Sequence, residues 1–412
     1  MIAIVNGKLL TITKGVINKG TILVDKGKII AIGTRVKVPR IARKYNATGK
    51  VIMPGMIEAH CHTGIFQDGI GWHESDGNEL TDPITPHLRA LDAVCPDDTA
   101  FKELREAGIT TINTGPGSGN LIGGQFACLK TKKAKTIEEM VVMAPSAMKM
   151  ALGENPKMVY GSQNKMPSTR MANAAVLRSA LISAANYHDK LRRFEEKKTE
   201  YEKKLKDWKK NRKKDKDKRP EAPDPPARNL KHEALIPVLE GKLRAMIHCH
   251  RADDIMTAIR IAEEFGLYFS LEHCTEGHKI AGILARKKIP CVVGPILFSK
   301  VKYELKNMTP ENPAILSKAG VKTAIQTDEM SAVKYLLINA ALAVQQGMNE
   351  KEALKAITIN PAEIIGIAER VGSLEAGKDG DIVLLSGHPL DYRSKPELVL
   401  IDGKVQLDKL SR

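Results

Sequence analysis

The chain has 412 residues, of which 42% are hydrophobic and only 4% aromatic, and a formal net charge of +16 at pH 7. This length and apolar content exclude a disordered or fibrous chain and call for a large domain with attachments, packed mainly by aliphatic side chains. No run of about 18 apolar residues offers a membrane span, and Met1 to Leu10 lacks the features of a secretory leader, so a cytoplasmic protein is expected.

The six cysteines, Cys61, Cys95, Cys128, Cys249, Cys274 and Cys291, are scattered without a disulfide framework or a Cys-x-x-Cys pair, so they read as reduced core residues. The positive charge is concentrated. Between His188 and His232 there are 18 Lys and Arg against 10 Asp and Glu, a surplus of eight that is half of the total.

Residues 1–54 read as short strands, with Asn6-Gly7 as a hairpin turn and Asp25-Lys26-Gly27-Lys28 as another. From 55 to 370 the pattern alternates strand and helix. Strands are expected at 51–60, 110–114, 125–130, 147–152, 243–248, 267–273, 289–293 and 322–327, and helices at 97–107, 171–187, 252–265, 279–287, 310–318 and 330–346. Eight strands with intervening helices predict a (β/α)8 barrel. The alternative is a doubly wound open sheet, but no Gly-x-Gly-x-x-Gly follows a strand. After 370 short strands return, and Asp402-Gly403 mirrors Asn6-Gly7. The fold class is therefore α/β: a distorted (β/α)8 TIM barrel over 55–370 with a small composite β-sandwich from 1–54 and 371–412.

About 90 residues separate the fourth and fifth strands, many times the usual connection. Within them, 188–232 is a charged insertion. Leu191, Phe194, Tyr201, Leu205 and Trp208 fall at heptad-like spacing, with Lys198 interrupting, which predicts an amphipathic helix over the charged run 189–219. It either stands out as an arm or folds over the barrel mouth. Interleaved acids favour a solvated helix over a nucleic-acid arm.

Barrel enzymes carry their chemistry at the C-terminal ends of the strands. The first strand ends in His60-Cys61-His62, the fifth in His248-Cys249-His250, the sixth at His273 and the eighth at Asp328. Residues two apart share a side, so His60 and His62 can meet one metal while Cys61 and Cys249 turn toward the helices. These imidazole and carboxylate groups suit a divalent transition metal. The fourth strand puts Lys149 among apolar residues, where an ammonium needs an acidic partner, a lowered pKa or carboxylation by CO2 to a metal-bridging carbamate. Glu154 is the unmodified alternative bridge.

Loops after the strands select the substrate. The first, Thr63 to Pro96, contains Trp72, His73, Glu74, Asp76, Glu79, His87 and Arg89, and Arg89 can pair a substrate carboxylate. The second, Thr114 to Gln125, is rich in glycine and reads as a tight turn beside the site, with anion binding as the alternative. Arg251, Asp253 and Asp254 follow the fifth strand. The arginine is a pocket candidate, and the acids read as caps for the next helix.

Pro54-Gly55-Met56-Ile57-Glu58-Ala59-His60-Cys61-His62 resembles the first-strand signature of the amidohydrolase superfamily of metal-dependent hydrolases. Gly372-Ser373-Leu374-Glu375-Ala376-Gly377-Lys378-Asp379-Gly380-Asp381-Ile382-Val383 resembles its re-entry into the β-sandwich, and Ile401-Asp402-Gly403-Lys404-Val405 its closing strand. The likeness covers nearly the whole chain outside the insertion. It is greatest to the amidohydrolases grouped near imidazolonepropionase and prolidase-like enzymes. Many relatives follow the last-strand Asp with His, where this chain has Glu329.

The resemblance implies that His60, His62 and Asp328 bind one metal and His248 and His273 a second, bridged by carboxylated Lys149 or by Glu154, with Lys149 preferred. His248 is preferred over His250 as the ligand, which leaves His250 as a catalytic or substrate contact beside Arg89 and Arg251. It implies one or two divalent ions per chain, zinc first, with iron, manganese or nickel as alternatives. The reaction implied is hydrolysis of a C–N bond in an amide, cyclic amide or peptide-like small molecule, with Asp328 as general base and acid. A small-molecule substrate and a homo-oligomer are expected, without membrane or nucleic-acid partners. Two alternatives are a deaminase of a ring amidine and a catalytically silent scaffold whose insertion binds RNA or acidic partners.

Overall fold

A computed structural model describes residues 1–67, 75–211 and 218–410. Trp72, His73 and Glu74, and positions 212–217 of the expected 189–219 helix, lie outside the described residues.

The N-terminal segment forms β1 (Ile2–Leu10), β2 (Val16–Asp25), β3 (Lys28–Gly33), β4 (Arg43–Asn46) and β5 (Val51–Pro54). The Asp25 to Lys28 turn is a hairpin, with Asp25 paired to Lys28. Asn6-Gly7 is not. It lies inside β1 as a bulge, with Asn6 at φ 64° and the register to β2 shifted on both sides of Gly7. A Cβ on Gly7 would stand 2.4 Å from the Ile52 side chain, so close packing on β5, rather than chain reversal, accounts for the glycine.

The barrel strands are β6 (Met56–Cys61), β7 (Ile109–Thr114), β8 (Ile122–Lys130), β9 (Val141–Ala151), β10 (Ala245–Cys249), β11 (Phe269–His273), β12 (Cys291–Val293) and β13 (Thr323–Ile325). They are hydrogen-bonded in that order. β8 runs antiparallel to both neighbours, whereas every other adjacent pair is parallel. The all-parallel (β/α)8 pattern thus breaks at β8. The β7–β8 and β8–β9 connections are too short for the crossover helix that parallel pairing needs, so β7, β8 and β9 form a meander. The ends close side by side through single contacts: Thr327 donates from its backbone N and its Oγ1 to Glu58 Oε2, and His62 N donates to Glu329 O at 3.0 Å.

The stretch 51–60, expected as one strand, is two. Val51–Pro54 pairs with β1 and with β14 (Ile382–Leu385), while Met56–Cys61 enters the barrel. Gly55 is the joint, where a Cβ would lie 2.1 Å from Thr110 Oγ1. With β15 (Pro396–Ile401) and β16 (Lys404–Asp408), the strands of both termini make one eight-stranded sheet. Strands distant in its order, β3 and β15, share a core through Ile29 and Leu400. The opposite face, with Met53, Val383 and Val399, packs on α1 (Thr99–Glu106) of the barrel through Phe101 and Leu104. Buried Lys130 at the end of β8 pairs with Asp379 at 3.0 Å and with Asp381, tying barrel to sheet.

Helix α2 (Glu154–Gly161) follows β9, and α3 (Arg170–Asn211) joins the expected 171–187 helix to the insertion in one run of 42 residues. Its first half buries Leu177, Leu181 and Ala184 in the barrel core. From Asp189 to Lys210 every residue is exposed except Leu191, Phe194, Tyr201, Leu205 and Trp208, which are half-buried. The chain returns through Pro220, Pro223 and Pro226, also half-buried among exposed neighbours, at the three-residue period of a polyproline II face. At the base, Tyr187 Oη donates to Glu233 Oε1 at 3.1 Å on α4 (Leu230–Leu239). The insertion thus stands out as an arm. The remaining helices are α5 (Ala252–Glu264), α6 (Ala281–Arg286), α7 (Asn312–Lys318), α8 (Leu336–Gln345), α9 (Glu350–Ala356) and α10 (Ile359–Ile365). Among the described residues no helix is long and apolar enough to cross a membrane.

Candidate metal centre

Strand alternation sets the first two ligand candidates. On β6, Ile57 and Cys61 face outward into apolar clusters, which leaves Glu58 and His60 facing inward and His62 just beyond the strand end. His60 is fully buried, donates from Nδ1 to Glu272 Oε2 at 2.9 Å and accepts at Nε2 from Lys149 Nζ at 2.8 Å. His62 Nδ1 donates to Gly115 O at 2.8 Å, which leaves Nε2 facing Asp328 Oδ1 at 3.3 Å. Asp328 Oδ1 is also 3.6 Å from His60 Nε2, and Oδ2 is 3.8 Å from His273 Nε2.

On the other side, the rings of His248 and His273 stand 4.3 Å apart, His248 and His250 4.6 Å, and His250 and His273 4.7 Å. His250 Nδ1 is held by Thr275 Oγ1 at 2.8 Å, and His273 Nδ1 donates to Gly294 O at 3.0 Å. That leaves His250 Nε2, His273 Nε2 and both nitrogens of His248 buried without a hydrogen-bond partner. Two overlapping groups result, His248 with His250 and His273, and His60 with His273 and Asp328, each with ligand atoms within 4.8 Å of one another. His273 belongs to both.

Burial keeps these imidazoles neutral: His60, His248 and His250 lie well below the ordinary value, and His273 is lowered to about 4. Burial alone would raise Asp328, but His273, His62 and His60 outweigh it and hold the carboxyl well below its ordinary value. Burial lowers the Lys149 ammonium to about 8. His273 and Asp328 have φ of +65° and +56°, a conformation that costs about 1–3 kcal/mol per residue and that collects at functional sites. Unpaired buried nitrogens are costly. Neutral imidazoles converging on an ionised carboxylate therefore fit a divalent ion with nitrogen and oxygen ligands.

The other expected site residues fall elsewhere. Glu154 begins α2, half-buried, and joins neither group. Arg89 is a surface residue paired through two bonds with Asp92, at 2.7 and 2.8 Å, and Arg251 pairs in the same way with Asp253. In the first turn of α5, Asp253 Oδ1 accepts from the Asp254 backbone N at 3.1 Å, but neither acid reaches the backbone N of Ala252. That N donates instead to Glu276 Oε2 at 2.9 Å, and Asp254 binds Arg170. Cys61, Cys249 and Cys274 sit in the apolar core, where burial raises the thiols of Cys61 and Cys249.

Glu272 was missing from the expected set. Alternation would put it and His273 on opposite faces, but the left-handed backbone at His273 and Cys274 breaks the alternation. Lys302, Asn155 and Ser118 were missed as well. With His248, His250, His273 and Asp328 they line a cavity of about 570 Å³ at the C-terminal ends of the strands. A larger cavity of about 720 Å³, lined by Leu10, Val16, Lys322 and Lys351 among others, lies on the side of the N-terminal end of β13 and holds none of these histidines. The ligand chemistry, not the volume, marks the site.

The model of the amidohydrolase family matches residues 51–410. The chain belongs to this family. An amidohydrolase from Thermotoga maritima of known structure is 41% identical, with 98% of this chain and 99% of that one covered and a TM-score of 0.86. Amidohydrolase tasK of Hapsidospora irregularis is 27% identical over 410 residues, 94% of this chain but 40% of the relative, so the chain spans two-fifths of that protein. The imidazolonepropionase of Thermoplasma acidophilum is 36% identical over 92 residues, 22% of each chain.

Proposed function

We propose that this amidohydrolase-family chain is a metal-dependent hydrolase of C–N bonds in an amide, cyclic amide or peptide-like small molecule. The observation that carries the reading is the set of unpartnered, buried imidazole nitrogens of His248, His250 and His273 converging beside ionised Asp328. His60, His62 and Asp328 would hold one divalent ion and His248 and His273 a second, with zinc the first choice and carboxylated Lys149 between them. Bound there, such ions lower the pKa of water and polarise a carbonyl.

The chain's own groups do the rest. Asp328 is ionised and central, so it accepts the proton of the attacking water and returns it to the leaving nitrogen. His250 presents a free Nε2 to the cavity and contacts the substrate carbonyl. Carboxylation of Lys149 consumes a neutral amine and CO2 and releases a proton, and burial keeps this amine easier to neutralise than a surface lysine. The deaminase reading needs a free acid shortly after the fifth-strand histidine, and Asp253 and Asp254 are occupied by Arg251 and Arg170.

A screen of the zinc-loaded protein over N-acyl amino acids, dipeptides, cyclic ureides and lactams tests the reading. Turnover of at least one class that disappears in Asp328→Asn is expected. Release of ammonia from ring amidines alone would replace it with the deaminase.

A further inference from the structure

Three segments that follow different strands meet in the lining of the cavity. Ser118 comes from the glycine-rich β7–β8 connection, Asn155 from the first turn of α2 and Lys302 from the segment after β12. Lys302 Nζ donates to Asn155 Oδ1 at 3.1 Å, and Asn155 Nδ2 donates to Ser118 Oγ at 2.7 Å. A lysine cannot accept, so the direction of this chain is fixed. It gives the amide oxygen of Asn155 and the hydroxyl oxygen of Ser118 one donor each. What it leaves is chiefly donors: two N–H bonds of the Lys302 ammonium, the second N–H of the Asn155 amide and the Ser118 O–H. A half-buried cluster with surplus donors and a positive charge calls for an anion.

The neighbouring carboxylates do not supply that anion. Glu304 receives Arg170 and the Glu154 backbone N, the latter at 2.8 Å, on Oε1 and keeps a buried Oε2 without a hydrogen-bond partner, and Glu304, Glu154 and Asp328 attract Lys302 without a hydrogen bond to it. The same Glu304 contacts pin the segment that carries Lys302 to the starts of α2 and α3, so the ammonium is held in place before any ligand arrives. The same cavity is also lined by apolar Ile296, Phe298, Leu305 and Met308. Its volume of about 570 Å³ suits a small molecule.

We propose that Ser118, Asn155 and Lys302 form a carboxylate-binding subsite, and that the substrate is a small amide bearing both a carboxylate and an apolar substituent. The identity of the bond cleaved rests on the hydrolase reading above; capture of the carboxylate does not.

The test is calorimetric binding of N-acetyl-L-amino acids with apolar side chains, and of their neutral carboxamides, to the zinc-loaded full chain, with hydrolysis followed in parallel. The wild-type protein should prefer the acids. Lys302→Met should weaken the acids by about ten- to a hundredfold, the loss of one charge-assisted bond, and leave the carboxamides unchanged. Lys302→Arg should keep most of the preference, and Ser118→Ala should lower it by a smaller factor. Equal binding of acids and carboxamides by the wild-type protein, binding of neither, or a parallel loss of both in Lys302→Met would overturn the subsite. Turnover without a preference for acids sinks the subsite and leaves the hydrolase. Acid binding that depends on Lys302 without turnover sinks the hydrolase and leaves the subsite.

Discussion

Lys149 Nζ lies 2.8 Å from His60 Nε2, and both residues are fully buried. An unmodified ammonium would occupy the nitrogen that His60 needs for a metal. A carbamate on the same lysine turns a competing donor into an oxygen ligand. Lys149→Ala should therefore lower the metal content from about two to about one per chain and reduce turnover on the order of a hundredfold. Metal analysis by mass spectrometry checks this, and unchanged stoichiometry would make Lys149 structural.

Glu272 accepts the Nδ1 proton of His60 at 2.9 Å and a bond from Ser270 Oγ at 2.7 Å. It fixes the His60 tautomer with Nε2 toward the centre. Glu272→Gln keeps the shape and weakens the acceptor, so metal affinity should fall by about 10–100-fold. Competition against a chelator of known affinity measures it.

Lys130 and its aspartates give a stability prediction with a sign. Burial alone would lower the lysine, but Asp381, Asp379 and Asp402 outweigh it and hold it above its ordinary value. A folded pKa above the unfolded one means stability that is fully present below the unfolded value, about 10.4, and lost as pH rises through the folded value. Asp379 runs the other way. Burial would raise it, but Lys130, Lys28 and Arg370 hold it down, so its contribution is present above about pH 3.9 and lost as pH falls through its folded value. Lys130→Met should cost about 3–5 kcal/mol at neutral pH, because it strands buried carboxylates. It should also remove the alkaline part of the decline. Urea unfolding at several pH values reads both effects.

The arm is separable from the barrel. Tyr187 and His232 have rings 5.4 Å apart across its base, so a short linker can replace 189–228. The shortened chain should keep its metal content and any turnover, with a melting temperature within a few degrees of the full chain. Loss of metal on shortening would show that the arm supports the centre.

The ligand candidates were legible because each ends an apolar strand, and His60, His248, His273 and Asp328 do meet. The meander was not, since the apolar run Ile122–Lys130 reads the same in either direction and the glycines before it serve a tight turn as well as a loop. Asn6-Gly7 and Asp402-Gly403 carry the same turn signal. The second closes a hairpin between Ile401 and Lys404, and the first becomes a bulge because Ile52 packs on it. Lys302 carried no signal of its own, since it lies in a basic loop and gains meaning only through Asn155 and Ser118, brought to it from other strands.

His273 is shared by both ligand groups, so its removal tests the centre most directly. Metal content and circular dichroism are measured together on the wild-type chain and His273→Ala after chelation and reloading with zinc. The account predicts about one or two tightly held ions in the wild type and a folded variant that loses at least the ion held with His248. A wild-type chain that binds no divalent ion, or a variant with unchanged metal content, would contradict it.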